Sequence, residues 1–135
     1  MVQAIPFILV LLLALGAHST SVEKCNLAGR WVNDLGSNMT IFEVNKRGDF
    51  TGTYYTAVSG TTKKIQESPL LGSQHLAQEL EKPTFGFTVH WTFSDSISVF
   101  TGQCFMHKNT TEILKTMWLL RLHEEKPGDD WKATR

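Results

Sequence analysis

From residue 27 onward the chain alternates apolar and polar positions with a period of two. The stretch "TFGFTVHWTF" sets Phe85, Phe87, Val89, Trp91 and Phe93 on one side and Thr84, Gly86, Thr88, His90 and Thr92 on the other. An extended strand points successive side chains to opposite faces, so the pattern predicts a half-buried strand rather than a helix. Comparable runs predict strands over 27–33, 38–45, 49–56, 63–71, 84–93, 96–107 and 111–121. "NDLGS" and "NKRGD" offer Asn and Gly where a tight turn needs positive φ, and "HKNTT" is short enough to close a hairpin. Sequential strands with tight connections predict an all-β meander. In a domain this small, about eight such strands lose their exposed edges by closing into an antiparallel up-and-down β-barrel.

The chain begins differently. An apolar run over residues 5–15 is followed by the small residues Gly16, Ala17 and Ser19. It falls short of the roughly 20 apolar residues that span a bilayer, and reads as a secretory signal occupying residues 1–21, with cleavage between residues 17 and 21. The protein is therefore expected to be secreted and extracellular, with one domain over 22–135. Thirteen basic and thirteen acidic side chains cancel, which gives no reason to expect nucleic acid or an anionic membrane as partner. Cys25 and Cys104 are the two cysteines, and an oxidising compartment allows them one intramolecular pairing. Such a disulfide would stabilise the fold by roughly 4 kcal/mol in the chain-entropy account. Neither a second Cys pair nor a His at ligand spacing is visible, so no metal and no thiol catalysis is expected. Asn38 and Asn109 head glycosylation sequons.

Putting the strands in phase raises a chemical question. Trp31 shares a face with Asn33, Tyr54 with Thr56, Trp91 with Phe93, Ser96 with Phe100, and Thr116 with Trp118. If the aromatic faces turn inward, several hydroxyls and an amide go with them. An unpaired buried polar group costs roughly 1–3 kcal/mol, so these groups either bond one another or await a polar ligand whose apolar body the Trp and Phe rings pack. A lipocalin-like carrier of another small apolar ligand would also suit secretion, one disulfide and the Gly29-Arg30-Trp31 start, but nothing after Arg121 reads as that fold's closing helix. An enzyme would have to use His90, His107 or His123 with Ser94 or Asp95. His90 lies on an outward phase, His107 lies in a turn, and no nucleophile, base and orienting group need converge, so no catalysis is expected. Asp129, Asp130, Glu124 and Glu125 read as solvated loop charges.

The segments "GRWVNDLGSNMTIFEVNKRGDFTGTYYTAV", "ESPL", "PTFGFTVHWTFSDS", "VFTGQCF", "LKTMWLL" and "GDDWKATR" closely resemble the avidin family of biotin-binding proteins, over residues 24–135. The resemblance implies a secreted barrel that sequesters biotin as a ligand, without chemistry and without a cofactor, in a homotetramer. Carried over by position, Asn33, Ser37 and Tyr54 would donate to the ureido oxygen and Thr56 would accept from a ureido N–H. Ser98 would lie near the thiophene sulfur. Ser59, Gly60 and Thr61 would close over the valerate carboxylate, helped by Ser94 and Ser96. Trp91, Phe93, Phe100 and Trp118 would wall the ring, with Phe85 and Phe87 packing the barrel floor, and Trp131 would reach a neighbouring subunit. Ser59 and Ser98 stand where the family usually has Thr, which keeps the hydroxyl, while Gly60 replaces a frequent Ala and loosens the loop. The family pattern continues past "WKATR" into an eighth strand that adds an Asn acceptor. A chain ending at Arg135 is thus expected to be truncated before it or to be a degenerate member with weak or no binding, and to present open edges that favour aggregation.

Overall fold

The computed structural model describes residues 24–76, 81–108 and 110–135. The expected signal peptide at residues 1–21 and the sequon residue Asn109 lie outside them. Seven strands form among the described residues: β1 (Gly29–Val32), β2 (Asn38–Ile41), β3 (Asp49–Tyr55), β4 (Ser68–Gln74), β5 (Thr84–His90), β6 (Ile97–His107) and β7 (Thr111–Arg121). A 3-10 segment, Pro127–Lys132, follows. The strands make one antiparallel sheet in sequence order, the meander that tight connections dictate.

Two of those connections repeat one device. In the β1–β2 turn the Asn33 side-chain oxygen accepts from the backbone N–H groups of Leu35 and Ser37, at 3.0 and 2.9 Å, and Gly36 takes φ 85°. In the β2–β3 turn Asn45 accepts from Arg47 and Asp49, both at 2.9 Å, and Gly48 takes φ 92°. Asn closes the turn with its own side chain, and only Gly enters the left-handed region without steric cost.

Register builds the core in layers. Phe50, Gly72, Phe87, Phe100 and Trp118 oppose one another across five strands, and Ile41, Gly52, Leu70, Val89, Ser98 and Leu120 across six. Gly72 and Gly102 are inward positions kept bare by large neighbours: a Cβ on Gly72 would stand 2.8 Å from the Phe50 ring, and one on Gly102 2.9 Å from the Phe85 ring. The β4 expectation over 63–71 is corrected to Ser68–Gln74. Gly72 continues the strand past the expected end, where the Phe50 ring crosses it. The other strands are trimmed at their ends, and β7 matches its expected span. His107 ends β6 rather than sitting in the turn.

Among the described residues β1 and β7 are the two edges of the sheet. Cys25, ahead of β1, is bonded to Cys104 on β6, with Cα atoms 5.9 Å apart. The Asn26 N–H donates to the Glu112 carboxylate on β7. At the other end of β7 residues 133–135 fold back on it: Leu120 and Arg135 exchange backbone bonds at 2.7 and 3.0 Å, and Arg121 pairs with Asp130 at 2.6 Å.

Candidate functional site

The inward face of the sheet encloses a cavity of about 550 Å³. Its apolar wall is aromatic: Trp31, Phe87, Trp91, Phe100 and Trp118. The rings are packed against one another, with Phe100 stacked on Phe87 at 4.6 Å and on Trp118 at 5.8 Å, and Tyr54 edge-on to Trp91 at 5.5 Å. Such a wall suits a flat apolar body.

Asn33, Ser37, Tyr54 and Thr56 supply the polar lining, and local backbone decides which way each faces. The Asn33 carbonyl oxygen is committed to the two turn N–H groups, which leaves its NH2 to donate. Ser37 Oγ accepts from the Ala57 N–H at 2.9 Å, which leaves the hydroxyl proton to donate. Thr56 spends its proton on the Val58 carbonyl at 2.8 Å, which leaves a lone pair to accept. Burial pushes the Tyr54 phenol above its ordinary 10.0, with the nearby Ser37 side chain opposing part of that rise, so it remains a neutral donor at pH 7. Three donors and one acceptor complement a carbonyl oxygen flanked by N–H, as in a cyclic urea or amide. No nucleophile stands next to a base among them.

The remaining expected residues divide. Ser98 lines the cavity and accepts from the Trp91 indole N–H at 2.9 Å, which fixes the ring and leaves the hydroxyl proton free. Phe93 is buried behind Trp91, ring centres 5.8 Å apart, and does not reach the lining. Ser59, Gly60 and Thr61 stand in the loop between β3 and β4, and Ser94 and Ser96 in the turn between β5 and β6; none of the five lines the cavity of the isolated chain. Trp131, 82% exposed, projects from the 3-10 segment. Phe87 lines the cavity and stacks on Phe85 and Phe100. Trp31, absent from the expected set, joins the wall while donating its indole N–H to Leu27 O at 2.8 Å; its shared phase with Asn33 was the signal for it. Asn38 is half-buried on β2 at the cavity lip. The acidic residues near the C-terminus make local pairs, Asp130 with Arg121 and Asp129 with Lys132, and His123 bonds Glu125 at 3.0 Å.

A curled antiparallel meander around a pocket with one polarised set and an aromatic wall defines a small-ligand-binding protein of the up-and-down β-barrel class. Residues 21–135 match the avidin family, and the chain belongs to it. It is 59% identical to avidin of Gallus gallus over 132 residues, covering 96% of this chain and 87% of that protein. It is similar to the crystal structure of xenavidin, with TM-score 0.79 and 59% identity over 84% of this chain and 92% of that one. A biotin-binding protein from chicken gives TM-score 0.79 at 50% identity, over 84% and 93% of the two chains.

Proposed function

We propose that the protein binds biotin and holds it without chemistry. One observation carries the reading: Asn33, Ser37 and Tyr54 have donors free and Thr56 has an acceptor free, in a cavity walled by five aromatic side chains. A ureido oxygen would take the three donors and a ureido N–H the acceptor, with its ring against Trp31, Trp91, Phe100 and Trp118. Preorganised donors in a dry pocket reward polarisation of that oxygen. Biotin is ligand and not cofactor in this account. Ser59, Gly60, Thr61, Ser94 and Ser96 close over its carboxylate tail, and Phe93 supports the wall from behind.

The protein is secreted in this reading and assembles as a homotetramer. Support comes from outward apolar side chains on the neighbouring strands β6 and β7, Val99, Met117 and Leu119, the second 77% exposed. Apolar residues on the outside of a sheet call for a partner. Trp131 is then offered to the pocket of an adjacent subunit. Biotin titration followed by tryptophan fluorescence and melting temperature tests the ligand, since a native-state ligand raises the midpoint. A folded sample with no shift at saturating biotin overturns the reading, and sedimentation showing only monomer overturns the assembly.

A further inference from the structure

We propose that the chain carries a second ligand site, at the far end of the strands from Asn33, Ser37, Tyr54 and Thr56, which takes a sulfate or phosphate ester with a small apolar body. The first polar set lies where Tyr54 of β3 meets Ser68 of β4. At the other end of the same strand pair, where Asp49 meets Ser73 and Gln74 meets Phe85, lies a separate cavity of about 490 Å³. The two cavities share no lining residue.

The donors of this second cavity carry the argument. Lys24, ahead of β1, and Lys46, in the β2–β3 turn, both line it, and neither pairs with a carboxylate among the described residues. No Asp or Glu is among its described lining residues. The acids nearby are engaged elsewhere: Asp49 pairs with Arg47 at 3.8 Å, and Glu112 accepts from the Asn26 N–H. Asn26 and Asn45 also line the cavity, and local turns fix what each can offer. The Asn26 side-chain oxygen accepts from the Ala28 N–H at 3.0 Å, and that of Asn45 from the Arg47 and Asp49 N–H groups at 2.9 Å. With each oxygen held by the backbone, each NH2 is left to donate. Two ammonium groups and two amide NH2 groups therefore border one hollow. That set complements an oxyanion, since hydrogen bonds from charged donors to ionised acceptors are the strong ones. An inorganic oxyanion leaves most of the volume empty. Val44 and Leu76, both half-buried in the same lining, supply an apolar strip for an organic body. Gln74 spends its NH2 on the His75 carbonyl at 2.9 Å and keeps an acceptor, which a hydroxyl on that body can meet.

Phenyl phosphate and phenyl sulfate are titrated at low salt into the folded protein, with and without saturating biotin, by calorimetry and by the amide resonances of Asn26, Asn45 and Lys46. Saturable binding of one ester per chain is expected, equal in both states, so the outcome stands apart from the biotin reading. The ester that binds more tightly identifies the source as a sulfated or a phosphorylated compound. Lys46→Gln should weaken binding about fivefold, an exposed charged donor being lost, whereas Lys64→Gln, in the exposed β3–β4 loop at the other end, should leave it unchanged. Asn26→Asp and Asn45→Asp keep the oxygen that each turn needs and replace the NH2 by a second, negative oxygen. Each should weaken binding more than about tenfold while the melting temperature of the free protein stays put. Unchanged affinity in both Asp variants would overturn the proposal. So would equal losses in Lys46→Gln and Lys64→Gln, which mean diffuse charge attraction, displacement of the ester by biotin, or no saturable binding by folded protein.

Discussion

Phe100 and Trp118 are direct cross-strand partners with the same inward phase, yet Phe100 is 7% exposed and Trp118 54%. Phe100 lies on β6, bonded on both sides, and its ring meets Phe87, Tyr54 and Trp118. Trp118 lies on β7, which among the described residues has a neighbouring strand on one side. Phase decides which face a side chain takes, but burial is decided by whether a strand stands on each side. The wall from β2 to β6 and the edge strands β1 and β7 thus draw different stability from the same residue types.

Removing the disulfide should have the largest effect. Replacing Cys25 and Cys104 together by Ser should lower unfolding stability by about 4 kcal/mol in urea titrations, since the bond closes a loop with sequence separation 79. A loss below about 1 kcal/mol would mean that the wall alone holds the curl. Next comes the direct contest between the two rings. Phe100→Ala should cost about 3–4 kcal/mol, whereas Trp118→Ala should cost less than half of that, because its contacts are one-sided. Equal costs would break the comparison.

Within the wall, Tyr54→Phe keeps the packing and removes one donor, so it should weaken biotin binding by about 1–3 kcal/mol in calorimetry while barely moving the melting temperature of the free protein. Unchanged affinity would remove Tyr54 from the polar set. The smallest effect is at alkaline pH. Burial raises the folded-state pKa of Tyr54, so above its ordinary 10.0 the unfolded chain releases a proton that the folded one keeps. Stability tied to this group is intact below pH 10 and declines as pH rises through the folded value. Tyr54→Phe should flatten that part of the alkaline decline in a pH series of unfolding midpoints.

The alternation of "TFGFTVHWTF" was enough to place β5 and its buried face, because period-two patterning is local. The polar set was legible through family resemblance, and Trp31 was legible through its phase with Asn33. The direction in which Asn33, Ser37 and Thr56 present their hydrogen bonds was not legible, because it depends on backbone groups at Leu35, Ala57 and Val58 whose orientation arises only on folding. The start of β4 failed for a related reason: "KKIQES" has no decisive period, and Gly72 is explained by a ring on another strand. Exposure of Trp118 was equally hidden, since a sequence records the phase of a strand but not its neighbours.

Gly72 under Phe50 and Gly102 under Phe85 also bear on how this sequence can change over time. A side chain at Gly72 collides with a backbone oxygen of Gly86 as well as with the two Phe neighbours, so no rotamer change relieves it. Shrinking Phe50 alone opens a void, and enlarging Gly72 alone is blocked. Either step lowers fitness on its own if stability is under selection. Gly72 is therefore fixed whatever stands at Phe50: surface loops can drift one residue at a time, while this position can change only if the β5 backbone at Gly86 moves with it.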